Sequence, residues 1–138
     1  MKILVINGHP DKESYCQAIF QTIVETIDSN RHELQVISLN EEDFDPVLRY
    51  GYRKRMEEDS FILRSQEWIQ WADHLIFVYP IWWSSMPSLM KGWIDRVFTP
   101  GIAYSANDQG SFIWNYLRGK QFKKLLKGKT ASIYATSM

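Results

Sequence analysis

Two short and almost unbroken apolar runs, Ile3–Ile6 and Leu75–Tyr79, constrain the fold of this chain more than any other feature. A strand with one face in water alternates apolar and polar residues; a strand covered on both faces does not, and such strands belong to parallel sheets. Two further runs rich in β-branched or aromatic residues, Leu34–Leu39 and Ala131–Ala135, complete a set of four candidate strands. Helical patterns lie between them. Ser14 opens one, with Ala18, Ile19, Ile23 and Ile27 at helical spacing and Asn30 near its end. A second covers Asp59–Trp71, with Ile62, Leu63, Gln66 and Ile69 along one side, and a third follows Pro87 and carries Leu89, Met90, Trp93, Ile94, Val97 and Phe98. Pro87 suits a first helical turn, and Pro100-Gly101 ends that helix. Strand–helix alternation of this kind predicts right-handed crossovers and an open parallel α/β sheet with helices on both faces.

The length of 138 residues is enough for one such domain and too short for two. A five-stranded doubly wound sheet needs one more helix and strand after Ala131–Ala135. The expectation is therefore a single domain over residues 1–138 that lacks its last helix and strand, or alternatively a four-stranded variant with an exposed edge strand. Asn40–Lys54 and Gly101–Lys129 read as connections, the second long enough to carry a function.

Lys and Arg total 16, as do Asp and Glu, so no excess charge recommends a nucleic acid or an acidic membrane as partner. The single cysteine excludes an internal disulfide and a multi-cysteine metal site, which suits a reducing compartment. With no apolar stretch of about 18 residues and no signal-like start, the sequence reads as cytoplasmic, without membrane insertion.

Ligands of open parallel sheets bind at the carboxyl ends of the strands, at a topological switch point. After the first strand, Asn7-Gly8-His9-Pro10-Asp11-Lys12-Glu13-Ser14-Tyr15-Cys16 leads into a helix N-terminus, whose free N–H groups and dipole favour a phosphate. Ser14 is either a helix cap or a phosphate partner. His9 is a phosphate partner, a proton donor or a turn residue, and Cys16 either a thiol of lowered pKa or a small buried residue. The glycine fingerprints of dinucleotide and nucleoside triphosphate sites are absent. After the third strand comes Tyr79-Pro80-Ile81-Trp82-Trp83-Ser84-Ser85-Met86-Pro87. Two adjacent Trp flanked by Pro and Ser at a strand end cannot both enter the core; either they plug the top of the sheet, or they leave an exposed aromatic face that suits a planar ring.

The Gly-His-Pro turn at His9, the passage Pro80–Pro87, and Lys91-Gly92-Trp93-Ile94-Asp95-Arg96-Val97-Phe98 together resemble the NAD(P)H:quinone oxidoreductase family with the flavodoxin-like fold. That family includes general stress and modulator-of-drug-activity proteins and the ancillary subunits of glutathione-gated potassium efflux systems. The resemblance implies a flavin, FAD or alternatively FMN, along the carboxyl edge of the sheet. His9, Ser14, Tyr15 and Cys16 would hold its phosphate and ribityl part. Pro80, Ile81, Trp82 and Trp83 would line the isoalloxazine, with Trp83 stacking on flavin or nicotinamide. Thr136 and Ser137 match the start of a third flavin-contacting loop, and Tyr104 is a candidate wall residue in a segment near the active-site mouth and dimer contact. The implied activity is ping-pong: NAD(P)H gives a hydride to the flavin and leaves, and a quinone then takes the two electrons. The implied assembly is a homodimer. Two other readings share the fold, a flavin-bearing regulatory subunit of a potassium efflux transporter and an FMN electron carrier; the zero net charge weighs against the carrier, which is usually acidic.

Overall fold

The computed structural model describes residues 1–105 and 123–137. In chain order the elements are β1 (Lys2–Asn7), α1 (Tyr15–Thr26), β2 (Glu33–Ser38), a short 3-10 turn at Leu39–Glu41, α2 (Ser60–Trp71), β3 (His74–Pro80), α3 (Ser88–Val97), β4 (Tyr104–Ser105), β5 (Lys123–Lys124) and β6 (Thr130–Thr136). The main sheet has four strands in the order β2-β1-β3-β6, all paired in parallel. The two unbroken runs thus form its two central strands.

Each strand sends alternate side chains to opposite faces, and on the central strands β1 and β3 both faces are covered. Leu4, Ile6 and Leu75 pack with Ile69 of α2 and with Met90, Trp93 and Val97 of α3. Ile3, Val5, Ile76 and Val78 pack with Cys16 and Phe20 of α1. Trp93 is wholly buried and donates from Nε1 to Ser65 Oγ at 3.1 Å, which fixes α3 against α2.

The helix starts agree with the sequence, and those of α1 and α2 are set by side-chain caps. Ser14 accepts from the N–H of Gln17, and Asp59 from those of Phe61 and Ile62. Other details differ. α1 stops at Thr26, before the expected Asn30, because Ile27 is extended. Its buried stripe runs through Cys16, Ile19, Phe20, Ile23, Val24 and Ile27, which puts Ala18 on the solvent side. In α2 the inward positions are Phe61, Ile62, Ser65 and Ile69, and Leu63 faces outward.

The expected connection over Gly101–Lys129 contains structure of its own: β4 and β5 pair antiparallel as a separate two-stranded ribbon. Gly110 and Gly119 of that stretch lie outside the described residues. β6 forms one edge of the main sheet, and Ile133 and Tyr134 on it are exposed. Among the described residues no helix is long and apolar enough to cross a membrane.

Candidate functional site

The chain passes from β1 to β2 on one side of the sheet and then crosses to β3 on the other, so the carboxyl ends of β1 and β3 flank the switch point. Three segments meet there. Gly8 N–H donates to the Val78 carbonyl at 2.8 Å, tying the loop after β1 to β3. A Cβ on Gly8 would lie 2.4 Å from Met90 Sδ, so the glycine lets α3 close beneath that loop. Ile81 N–H donates to the Thr136 carbonyl at 2.7 Å, and Cys16 Sγ lies 3.3 Å from Thr136 Oγ1. His9 meets Trp82 edge to face, with ring centroids 5.3 Å apart.

The loop between β1 and α1 is shaped by side chains that each capture the N–H group two residues ahead. Asn7 Oδ1 accepts from His9 N–H at 3.1 Å, His9 Nδ1 from Asp11 N–H at 2.9 Å, and Asp11 Oδ1 from Glu13 N–H at 3.0 Å. Ser14 Oγ then accepts from Gln17 N–H at 3.2 Å as the helix cap. Because His9 Nδ1 is an acceptor, the neutral ring carries its proton on Nε2. The N–H groups of Tyr15 and Cys16, in the first turn of α1, have no intrahelical acceptor. Among the described residues neither has any other.

Beneath this loop lies a polar cluster that sequence reasoning missed. Asn7 is wholly buried; its Nδ2 donates to Gln17 Oε1 at 2.6 Å and to Ser38 Oγ at 3.3 Å. Ser38 donates to Asn40 Oδ1 at 3.0 Å, and Asn40 Nδ2 donates to the His9 carbonyl at 3.1 Å and to Gln17 Oε1 at 3.3 Å. The parallel register sets Asn7 beside Ser38, and that pairing builds the cluster. The available signal was two polar residues closing two apolar strands.

After β3 the backbone folds into a two-residue turn. Trp82 and Ser85 exchange both N–H···O=C bonds, at 2.8 and 3.0 Å, and the central pair, Trp83 and Ser84, have φ of +50° and +62°. A left-handed pair is the geometry of a type I′ turn, which favours Asn-Gly; for a bulky residue such as Trp it is strained. Its consequence is that Trp83 is fully exposed while Trp82 lies half against His9.

The sequence-derived residues therefore fall into groups. His9, Ser14, Tyr15 and Cys16 lie on the loop and first turn after β1, Pro80 to Trp83 at the end of β3, and Thr136 and Ser137 at the end of β6. Pro80 and Cys16 are buried, whereas Tyr15, Ile81 and Ser137 are exposed. Tyr104 stands apart from them. α3 starts near the carboxyl edge and runs back toward the amino ends of the strands for ten residues, about 15 Å, and Tyr104 comes after it. A cavity of about 480 Å³ also opens away from the carboxyl edge, lined by Tyr52, Asp59, Gln66, Arg96 and Thr99 among others. Lys54, Arg55, Glu57 and Glu58 are all among the residues that line it, so it selects no sign of charge. The described residues contain no group of three or more His, Cys, Asp or Glu placed to hold a metal ion.

Residues 1–137 match the family of the flavodoxin-like fold, and the chain belongs to it. The ribosyldihydronicotinamide dehydrogenase-like protein traD of Penicillium crustosum is 30% identical over 155 residues, covering 99% of this chain and 57% of its own length. The ribosyldihydronicotinamide dehydrogenase [quinone] of Mus musculus is 28% identical over 154 residues, covering 96% and 66%. Among solved structures, Smu.1420 from Streptococcus mutans UA159 superimposes with a TM-score of 0.77 at 35% identity, covering 98% of this chain and 67% of that one. The chain thus spans 57% and 66% of the length of those two curated relatives.

Proposed function

We propose that this domain holds a flavin at the carboxyl edge of its sheet and serves an NAD(P)H:quinone oxidoreductase. The observation that carries the reading is the convergence, at one switch point, of a fully exposed Trp83 with a helix N-terminus whose Tyr15 and Cys16 N–H groups lack acceptors. The residues fit the cofactor. Unpaired N–H groups at a helix start suit a phosphate, the Trp83 face suits a planar ring, and the ends of β3 and β6 offer a wall between the two. FAD is the assigned flavin and FMN the alternative. The names of the curated relatives, which are dehydrogenases, favour an enzyme over a transporter subunit.

The bound flavin supplies the redox chemistry, in which NAD(P)H, a quinone and a proton become NAD(P)⁺ and a hydroquinone. The chain's part is binding and orientation. His9 Nε2–H and the Ser14 hydroxyl donate toward the phosphate side; Trp83 covers the ring and excludes water from it. Thr136 and Ser137 close the edge beside Ile81. Tyr104 is held by its own chain away from Trp83, so we assign it to the wall of a second copy's site in a homodimer.

The test is titration of flavin-free protein with FAD and FMN separately, followed by quinone-dependent oxidation of NAD(P)H. A folded sample, judged by circular dichroism, that binds neither flavin would overturn the site. Binding without NAD(P)H oxidation would remove the enzyme and leave the site. Light scattering of the flavin-bound form checks the dimer.

A further inference from the structure

We propose that Asn7 and Asn40 are positioning residues that clamp the His9 backbone and thereby set its ring as an Nε2–H donor facing the carboxyl edge. The proposal deepens the flavin reading, since it says how one residue of that site is prepared. Three contacts fix His9. Its N–H is held by Asn7 Oδ1 at 3.1 Å, its carbonyl by Asn40 Nδ2 at 3.1 Å, and its ring Nδ1 by Asp11 N–H at 2.9 Å. The third contact depends on the other two, because Nδ1 reaches the Asp11 N–H only while the backbone from 9 to 11 holds its turn.

The amide orientations follow from partner chemistry. Asn7 Nδ2 faces Gln17 Oε1 and Ser38 Oγ; turned over, its oxygen would oppose an acceptor at 2.6 Å and its NH₂ would oppose the His9 N–H. Asn40 is fixed likewise, with Nδ2 toward the His9 carbonyl and Gln17 Oε1 and its oxygen accepting from Ser38. The cluster is thus bonded throughout, and Asn7, its hub, is wholly buried. A satisfied polar network in a core specifies one arrangement of what it touches. Here that is the loop whose outward groups are His9 Nε2–H and the first turn of α1. Fixing the tautomer in advance spares the ligand the cost of selecting it.

The experiment reads the His9 ring directly, in flavin-free protein, by nitrogen-15 NMR of the imidazole. Wild type is expected to show one neutral tautomer, protonated at Nε2. In Asn40→Ala, which removes the carbonyl clamp from a half-buried position, and in Asn7→Ala where that variant folds, the ring is expected to show both tautomers in exchange. Flavin affinity should fall roughly tenfold, the equivalent of one charge-assisted contact. A wild-type ring protonated at Nδ1, or an Asn40→Ala ring indistinguishable from wild type, overturns the inference. Tautomers that respond as stated in a protein binding neither FAD nor FMN support the clamp and overturn the flavin reading instead.

Discussion

Trp83 separates a ligand platform from a core residue. Trp83→Ala deletes a ring that is fully exposed in the free protein, so no core contact goes with it and stability should stay within about 0.5 kcal/mol of wild type. Trp83→Gly tests the turn itself. At φ +50° an L-residue carries roughly 1–2 kcal/mol of left-handed strain, which glycine relieves. Glycine also gives back about 0.5–1 kcal/mol through the entropy of the unfolded chain. The glycine variant should thus be as stable as wild type or more so by up to about 1.5 kcal/mol, an inference from those two figures. Both variants lose the stacking face, worth about 0.5–1.5 kcal/mol for an aromatic pair, or roughly two- to tenfold in flavin affinity. Urea unfolding and flavin titration of the same preparations measure the two quantities. A stability loss of about 3–5 kcal/mol in Trp83→Ala, the cost of emptying a buried aromatic site, would refute the exposed-platform argument. Flavin affinity equal to wild type in both variants would refute the stacking.

Ser65→Ala should cost about 1–3 kcal/mol in urea unfolding, because it strands the wholly buried Trp93 N–H, whose acceptor is Ser65 Oγ. Gly92→Ala should lower the melting temperature although alanine is the better helix former by about 1 kcal/mol: its Cβ would lie 2.2 Å from the Pro46 carbonyl oxygen, in a segment that Arg96 holds through the Asp45 carbonyl. Tyr52→Phe should flatten the alkaline stability limb. Burial and then the nearby Asp95 carboxylate raise the Tyr52 phenol above its ordinary value of 10.0, so the folded form keeps the proton longer than the unfolded one. That contribution is whole below pH 10.0 and is lost as pH rises through the higher folded value. Chemical unfolding of both proteins on either side of pH 10.0 reads the difference.

The architecture was legible because its signals are local. Unbroken apolar runs marked β1 and β3, Ser14 marked the start of α1, helical periodicity marked α2 over Asp59–Trp71, and Pro87 marked the entry to α3. The errors are of one kind. Ala18 and Leu63 read as part of the apolar stripes of α1 and α2 because an apolar residue at near-helical spacing passes for a core residue, and only the packing partners decide which stripe turns inward. That the Trp82–Trp83 pair leaves an aromatic face exposed was also legible, from the Pro and Ser around it. Its cause was not, since Trp-Ser carries none of the Asn or Gly that announces a type I′ turn.

The cluster under His9 was hidden for a deeper reason. Asn7, Gln17, Ser38 and Asn40 come from a strand end, a helix, a second strand end and a 3-10 turn, and no spacing along the chain relates them. They are brought together by one topological fact, that β1 and β2 pair in parallel with Asn7 opposite Ser38. In a parallel sheet the carboxyl ends of neighbouring strands coincide, so polar residues that close those strands collect at one edge. Read one at a time, each is an ordinary turn residue. Placed side by side, with Asn7 and Ser38 buried, they must satisfy one another, and the arrangement that does so fixes the loop above. On the flavin reading proposed above, the site is therefore prepared by residues that the ligand need never touch.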